Sequence, residues 1–270
     1  MRTDPAAGPT TPTHRRQGTT TTTTIDRTQD AAALSPRRAA LVAGTGYVAL
    51  FAFAIFANFA VREAMVVAGD AARTAANIRD AEGLFRLGLE AFLAVFLIDV
   101  PVAWALYVLF RPVHRDLSLL TAWFRIVYTV FLGVATVSFF QALQLLDDGA
   151  FLAVFTPEQL DAQVLVALDT FDATWRVGLL AFGVHVVLLG RLALRSGRVP
   201  RALGWILVFA GLAYMADTVA RAAFVDLPGL QSFISALVIA PAVVAEGWFG
   251  LWLLTKGGKM STARGNRSPE

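Results

Sequence analysis

Residues 87–145 read LGLEAFLAVFLIDVPVAWALYVLF, then RPVHRD, then LSLLTAWFRIVYTVFLGVATVSFFQALQL, from Leu87 to Leu145. Two apolar stretches flank a short basic link, Arg111 to Asp116. A bilayer core of about 30 Å takes a helix of about 20 apolar residues, so each stretch reads as a membrane helix. The brevity of the link makes the two antiparallel neighbours. Similar stretches run from Ala39 to Val61, Asp172 to Leu194, Ala202 to Val225 and Ser232 to Thr255. None alternates with a period of two, as the strands of a membrane barrel would. The expected fold is all-α, a polytopic bundle of six transmembrane helices.

Composition agrees. Of 270 residues, 56% are hydrophobic and 16% charged, where soluble domains carry about a quarter charged. Mean hydropathy is +0.60. The net charge of +3 comes from arginines clustered between the apolar stretches, a pattern of topology signals rather than a nucleic-acid face. With no cysteine, disulfides, thiolate catalysis and iron–sulfur sites are excluded. His14 and His114 lie outside the spans, so a multi-histidine metal site within the bilayer is not expected, nor is a cofactor.

Basic residues mark the cytoplasmic side. They flank the first span (Arg37, Arg38), fill the second-to-third link (Arg111, Arg115) and the fourth-to-fifth (Arg195, Arg198, Arg201), and follow the last span (Lys256, Lys259). The third-to-fourth link is acidic, with Asp147, Asp148, Glu158, Asp161 and Asp169. Both termini are therefore expected on the cytoplasmic side. Residues 1–36 are Thr/Pro/Ala-rich, lack a signal-peptide core, and read as a disordered cytoplasmic tail, as do residues 258–270. The membrane domain spans 37–257. Within the other links, Asp70 is placed to N-cap a short helix, and Thr156-Pro157 to start one running from Leu160 into Trp175. Such helices cap a bundle or form a lid over it.

Five ionisable residues lie inside the spans: Asp99, Arg125, His185, Asp217 and Glu246. A charge at the centre of a membrane helix costs roughly 2.5–3.5 kcal/mol even on lenient scales, so such groups persist when paired or wetted. At about 1.5 Å per residue, Asp99 lies about 18 Å and Arg125 about 13 Å from their shared link, close enough for an ion pair. Pro101 frees the Leu97 carbonyl, expected as a further polar group beside that pair. His185 and Glu246 fall at about 15 Å from their own cytoplasmic ends. Asp217 lies about 22 Å deep, with Arg221 one turn on. Glu246 has no intrahelical partner, and a carboxyl so placed next to a histidine suits proton transfer. The plainer reading is that the pairs are glue that sets helix register and that His185 is a hydrogen-bonded core histidine.

Weaker signals follow. The six tryptophans, Trp104 to Trp252, mostly sit near span ends, as an interfacial belt would. Gln141 and Gln144 would line a cavity or bond across helices. Gly44, Gly46, Gly178, Gly183, Gly204 and Gly211 permit close helix approach.

The stretch Gly69-Asp70, Thr74-Ala75-Ala76-Asn77-Ile78 and Leu84-Phe85-Arg86 resembles a bacterial family of integral membrane proteins catalogued as domain of unknown function 4386. So do Tyr47, Arg62, Asp99, Tyr107, Arg111-Pro112, Arg125, His185 with Gly190, Pro200 with Leu203-Gly204, Asp217 and Glu246. The resemblance covers Arg38 to Gly257. It implies a six-span bundle in the bacterial cytoplasmic (inner) membrane and no established activity.

Three functions compete. The first is binding or transport of a small polar solute, or of protons, through the polar layer, with a homodimer to be expected of so small a carrier. The second is a non-catalytic scaffold, sensor or partner subunit. The third, an enzyme acting on lipid head groups, needs a nucleophile or metal constellation that the sequence lacks. The lipid bilayer is the expected partner, and nucleic acid is not.

Overall fold

The computed structural model describes residues 35–147, 149–223 and 228–257, and the side chains of the last segment from Ala242 onward. The two expected tails, apart from Ser35 and Pro36 at their inner edge, lie outside the described residues. All regular structure among the described residues is helical.

Helix α1, Pro36–Ile55, starts where Ser35 Oγ accepts a hydrogen bond from the Arg38 N–H and Pro36 takes the first turn, where an amide proton has no partner to lose. It continues as a π-helix, Phe56–Arg62, and a last turn, Glu63–Met65. In the wider turn the Glu63 N–H reaches back five residues to the Asn58 carbonyl, and Asn58 Nδ2 donates to the Ala54 carbonyl at 3.0 Å.

A compact connection leads to α2, Ala71–Asp80. Gly69 holds the left-handed φ of 76° that the turn requires, and Asp70 Oδ1 caps α2 through the Arg73 N–H at 2.9 Å. Thr74 Oγ1 accepts from Val67 N at 2.9 Å, while Asn77 Nδ2 donates to the Met65 carbonyl at 3.0 Å. The family-like stretch from Gly69 to Asn77 thus satisfies the backbone groups of a tight loop. Buried Ile78 and Phe85 anchor it.

Helix α3 is Glu82–Phe110, α4 is Arg115–Leu145, α5 is Pro157–Ser196, α6 is Arg201–Ala223 and α7 is Pro228–Lys256. A 3-10 turn, Ala150–Val154, precedes α5. His114 caps α4, its Nδ1 accepting from Leu117 N at 3.2 Å, and so shortens the hairpin link. Thr156 and Gln159 form a reciprocal capping box ahead of Pro157. From there α5 runs unbroken for 40 residues, about 60 Å, so the expected outer helix and the fourth span are one element. Gly197, at φ 63°, ends it.

Among the described residues five helices are long and apolar enough to cross a membrane: Pro36–Met65, Glu82–Phe110, Arg115–Leu145, Pro157–Ser196 and Arg201–Ala223. Each long helix packs on its neighbours in chain order, and α7 returns to α1, giving a closed ring α1-α3-α4-α5-α6-α7. Helix α2 lies against α5, tied by Arg79 Nη2 to Asp161 at 2.7 Å. Helices α5 and α6 touch backbone to backbone. A Cβ on Gly183 would stand 2.7 Å from the Gly211 carbonyl oxygen, and one on Gly190 would stand 2.8 Å from that of Gly204.

Several expectations are corrected here. Gln141 and Gln144 are exposed on the outside of α4 rather than lining a cavity. Trp175 and Trp252 lie inside the bundle, unlike the outward Trp104, Trp123, Trp205 and Trp248. Leu97 is 66% exposed and Pro101 is exposed with it. Asp99, two residues from each, points the opposite way at about 100° per residue, so the freed carbonyl is not beside the ion pair.

Candidate functional site

The five expected residues divide between two places. Asp99, Arg125 and His185 form a dry knot in the middle of the ring, with Arg125 only 2% exposed. Arg125 Nε and Nη2 both donate to Asp99 Oδ1, the first at 2.9 Å. Its Nη1 donates to Tyr47 Oη at 2.9 Å and to His185 Nε2 at 3.2 Å. Thr129 Oγ1 reaches the other Asp99 oxygen at 2.8 Å. His185 Nδ1 lies 2.8 Å from the Thr121 carbonyl oxygen. A guanidinium only donates and a carbonyl only accepts, so Nδ1 carries the proton and Nε2 the lone pair. The knot stitches α1, α3, α4 and α5 together, and among the described residues no fully buried side-chain nitrogen or oxygen lacks a partner.

The second place is a cavity of about 350 Å³ bounded by α1 with its π-helix, α5, α6 and α7, with Tyr128 of α4 as the only residue from that helix. Asp217 and Glu246 line it. Asp99, Arg125 and His185 do not, so the five charges share no single chamber. Phe182 is the partition. His185 stacks on its ring with centroids 5.5 Å apart, Arg125 Cζ lies 5.5 Å from its centroid, and the same ring lines the cavity.

One end of the cavity is ionic. Arg62 Nη1 donates to both oxygens of Asp172 at 2.9 Å, and Nη2 lies 3.6 Å from Glu63. Asp217 receives Arg221 Nε at 3.2 Å, as the sequence spacing anticipates, and Arg176 Nη1 at 3.4 Å, which it does not. At the other end Tyr214 Oη donates to Glu246 Oε1 at 2.8 Å. That is the only hydrogen bond Glu246 makes, and no cation pairs with it, among the described residues. His185 is saturated by Arg125 and Thr121, as the plainer reading of a hydrogen-bonded core histidine expects, and Glu246, without a partner on its own helix, is held by Tyr214 of α6. The two carry no mutual hydrogen bond, because Phe182 and the knot occupy His185.

Between the ends the wall is aromatic. Phe182 meets Tyr214 edge-on at 5.4 Å and Tyr128 at 4.6 Å, and Trp175 continues the surface with Nε1 3.4 Å from Tyr128 Oη. Sequence reading missed Asn58, Trp175, Arg176 and Tyr214 as lining residues. Polar and aromatic residues within spans carry no signal of facing inward until the helices are rotated into place. Among the described residues no group of three His, Cys, Asp or Glu is close enough to hold a metal ion.

No solved structure matches the chain. An "Uncharacterized protein" of Archaeoglobus fulgidus is 30% identical over 168 residues, which are 62% of this chain and 82% of that protein. Every one of the five ionisable residues expected within the spans falls within residues 42–257, the part matched by a single family, and the chain belongs to that family, described as Domain of unknown function (DUF4386).

Proposed function

We propose that this chain is a six-span membrane protein, both termini cytoplasmic, whose cavity binds a small polar solute or passes protons. Helix α7, 29 residues long and closing the ring, is the sixth span in this reading. The carrying observation is Glu246: a carboxyl that forms no ion pair among the described residues, set in an aromatic-walled chamber. A buried ionisable group left unpaired is costly, and chains keep such groups where a ligand or proton completes them. The chamber sits near the low end of the roughly 300–1,000 Å³ range of small-molecule sites.

A second reading, a non-catalytic scaffold or partner subunit, is supported by the Asp99–Arg125 knot, which is saturated and so suited to holding helices in register. The absence of native cysteine allows a clean test. Leu179→Cys, on the cavity wall, should react with iodoacetamide about tenfold or more faster than Leu132→Cys in the packed core. Equal rates would overturn the cavity reading and leave the scaffold. A reporter fused after Gly257 that works only in the cytoplasm checks the orientation.

A further inference from the structure

We propose that the cavity takes a small organic cation, an alkylammonium group held between Glu246 and the aromatic wall. This rests on the cavity reading above and names its ligand class. Charge comes first. The three arginines lining the chamber, Arg62, Arg176 and Arg221, are met by Asp172, Glu63 and Asp217. Glu246 is left over: among the described residues it forms no ion pair, and Arg125, already bonded to Asp99, acts on it only at a distance. An ionised Glu246 repels an anionic ligand and attracts a cation.

The wall decides which cation. Tyr128, Trp175, Phe182 and Tyr214 line the same cavity as Glu246, and ring faces attract a cation through their quadrupoles, most strongly one that is weakly hydrated. The same wall already shows this chemistry from its other side, where the Arg125 guanidinium lies over Phe182. A hard metal ion instead demands six or more oxygen ligands. Among the described lining side chains the other oxygens are already engaged: Glu63 and Asp217 face arginines, Asn58 Oδ1 accepts from Arg62, and the Tyr128 and Tyr214 hydroxyls are hydrogen-bonded. Glu246 Oε1 is taken by Tyr214, and since no fully buried oxygen is unsatisfied, Oε2 is reachable from the chamber and is the contact for the ligand.

The test follows alkylation of Leu179→Cys by iodoacetamide in the purified full chain, with tetraethylammonium as probe. Potassium chloride and 3-ethyl-3-pentanol, a neutral molecule of similar size, serve as controls. Tetraethylammonium should slow alkylation saturably and the two controls should not. Adding Glu246→Gln should raise the half-protecting concentration about tenfold or more. Trp175→Leu should raise it about three- to tenfold, and it carries the test alone if the Glu246 variant fails to fold. A reactive cysteine that tetraethylammonium does not protect, or protects equally in both variants, overturns the organic cation and leaves the polar cavity standing. Equal protection by 3-ethyl-3-pentanol also overturns it, in favour of a neutral solute. An unreactive cysteine overturns both readings together.

Discussion

The Arg125 knot and the Glu246 chamber lie on opposite sides of one phenylalanine and spend their polar atoms differently. In the knot Asp99 receives three donors and His185 uses both ring nitrogens, with four helices contributing. In the chamber Glu246 has one partner and an oxygen to spare. Saturation and accessibility separate them: a network with every valence filled specifies packing, and a group with one left open is available to something else. Depth in the membrane, which the sequence supplies, does not distinguish the two.

Arg125→Met should break the comparison hardest. It strands a buried Asp99 carboxylate and should cost about 3–5 kcal/mol, read as loss of thermal stability in detergent. Pairing it with Asp99→Asn should recover much of that loss. A simple exchange of Asp99 and Arg125 should not, because Tyr47 and His185 are placed to meet a cation from α4. His185→Phe keeps the stacking on Phe182 but removes the second hydrogen bond of the Thr121 carbonyl and leaves an arginine N–H unpaired, for about 1–3 kcal/mol. If that variant instead altered ligand protection with stability intact, His185 would belong with the chamber.

Gly211→Ala probes the α5–α6 seam behind the chamber. Its Cβ would stand 2.6 Å from the Gly183 carbonyl oxygen, so about 1–3 kcal/mol should be lost. Gly247→Ala, with nothing within 4 Å, should be neutral or gain about 0.5–1 kcal/mol in the same unfolding assay. Glu246→Gln should cost little, within about 1 kcal/mol, since the amide oxygen still accepts from Tyr214. A loss as large as that of Arg125→Met would make Glu246 structural and erase the distinction.

The features legible in the sequence were those set by local rules. Apolar length located the helices, Asp70 and Thr156 announced their caps, and the short hairpin brought Asp99 to Arg125. The Asp217–Arg221 pair followed from one helical turn. What stayed hidden depends on how the helices turn about their axes and on which of them meet across the ring. Tyr47 and Arg125 are 78 residues apart in the chain, and Tyr214 and Glu246 are 32 apart. In an all-round apolar helix no amphipathic stripe tells which side faces its partners. The π-helix that places Asn58 and Arg62 on the chamber likewise has no pattern to betray it.

Closure of the ring has a consequence for connectivity. A Cβ on Gly257 would come within 2.8 Å of Ala40, and one on Gly44 within 2.8 Å of Leu254, so the two ends of the described chain stand side by side. The order of the helices is then a cycle, cut between α7 and α1. A permuted gene that joins Gly257 to Ser35 through a short linker and begins anew at Gly197, whose surroundings are open, would preserve every neighbour relation in the bundle while moving the ends of the polypeptide to another link.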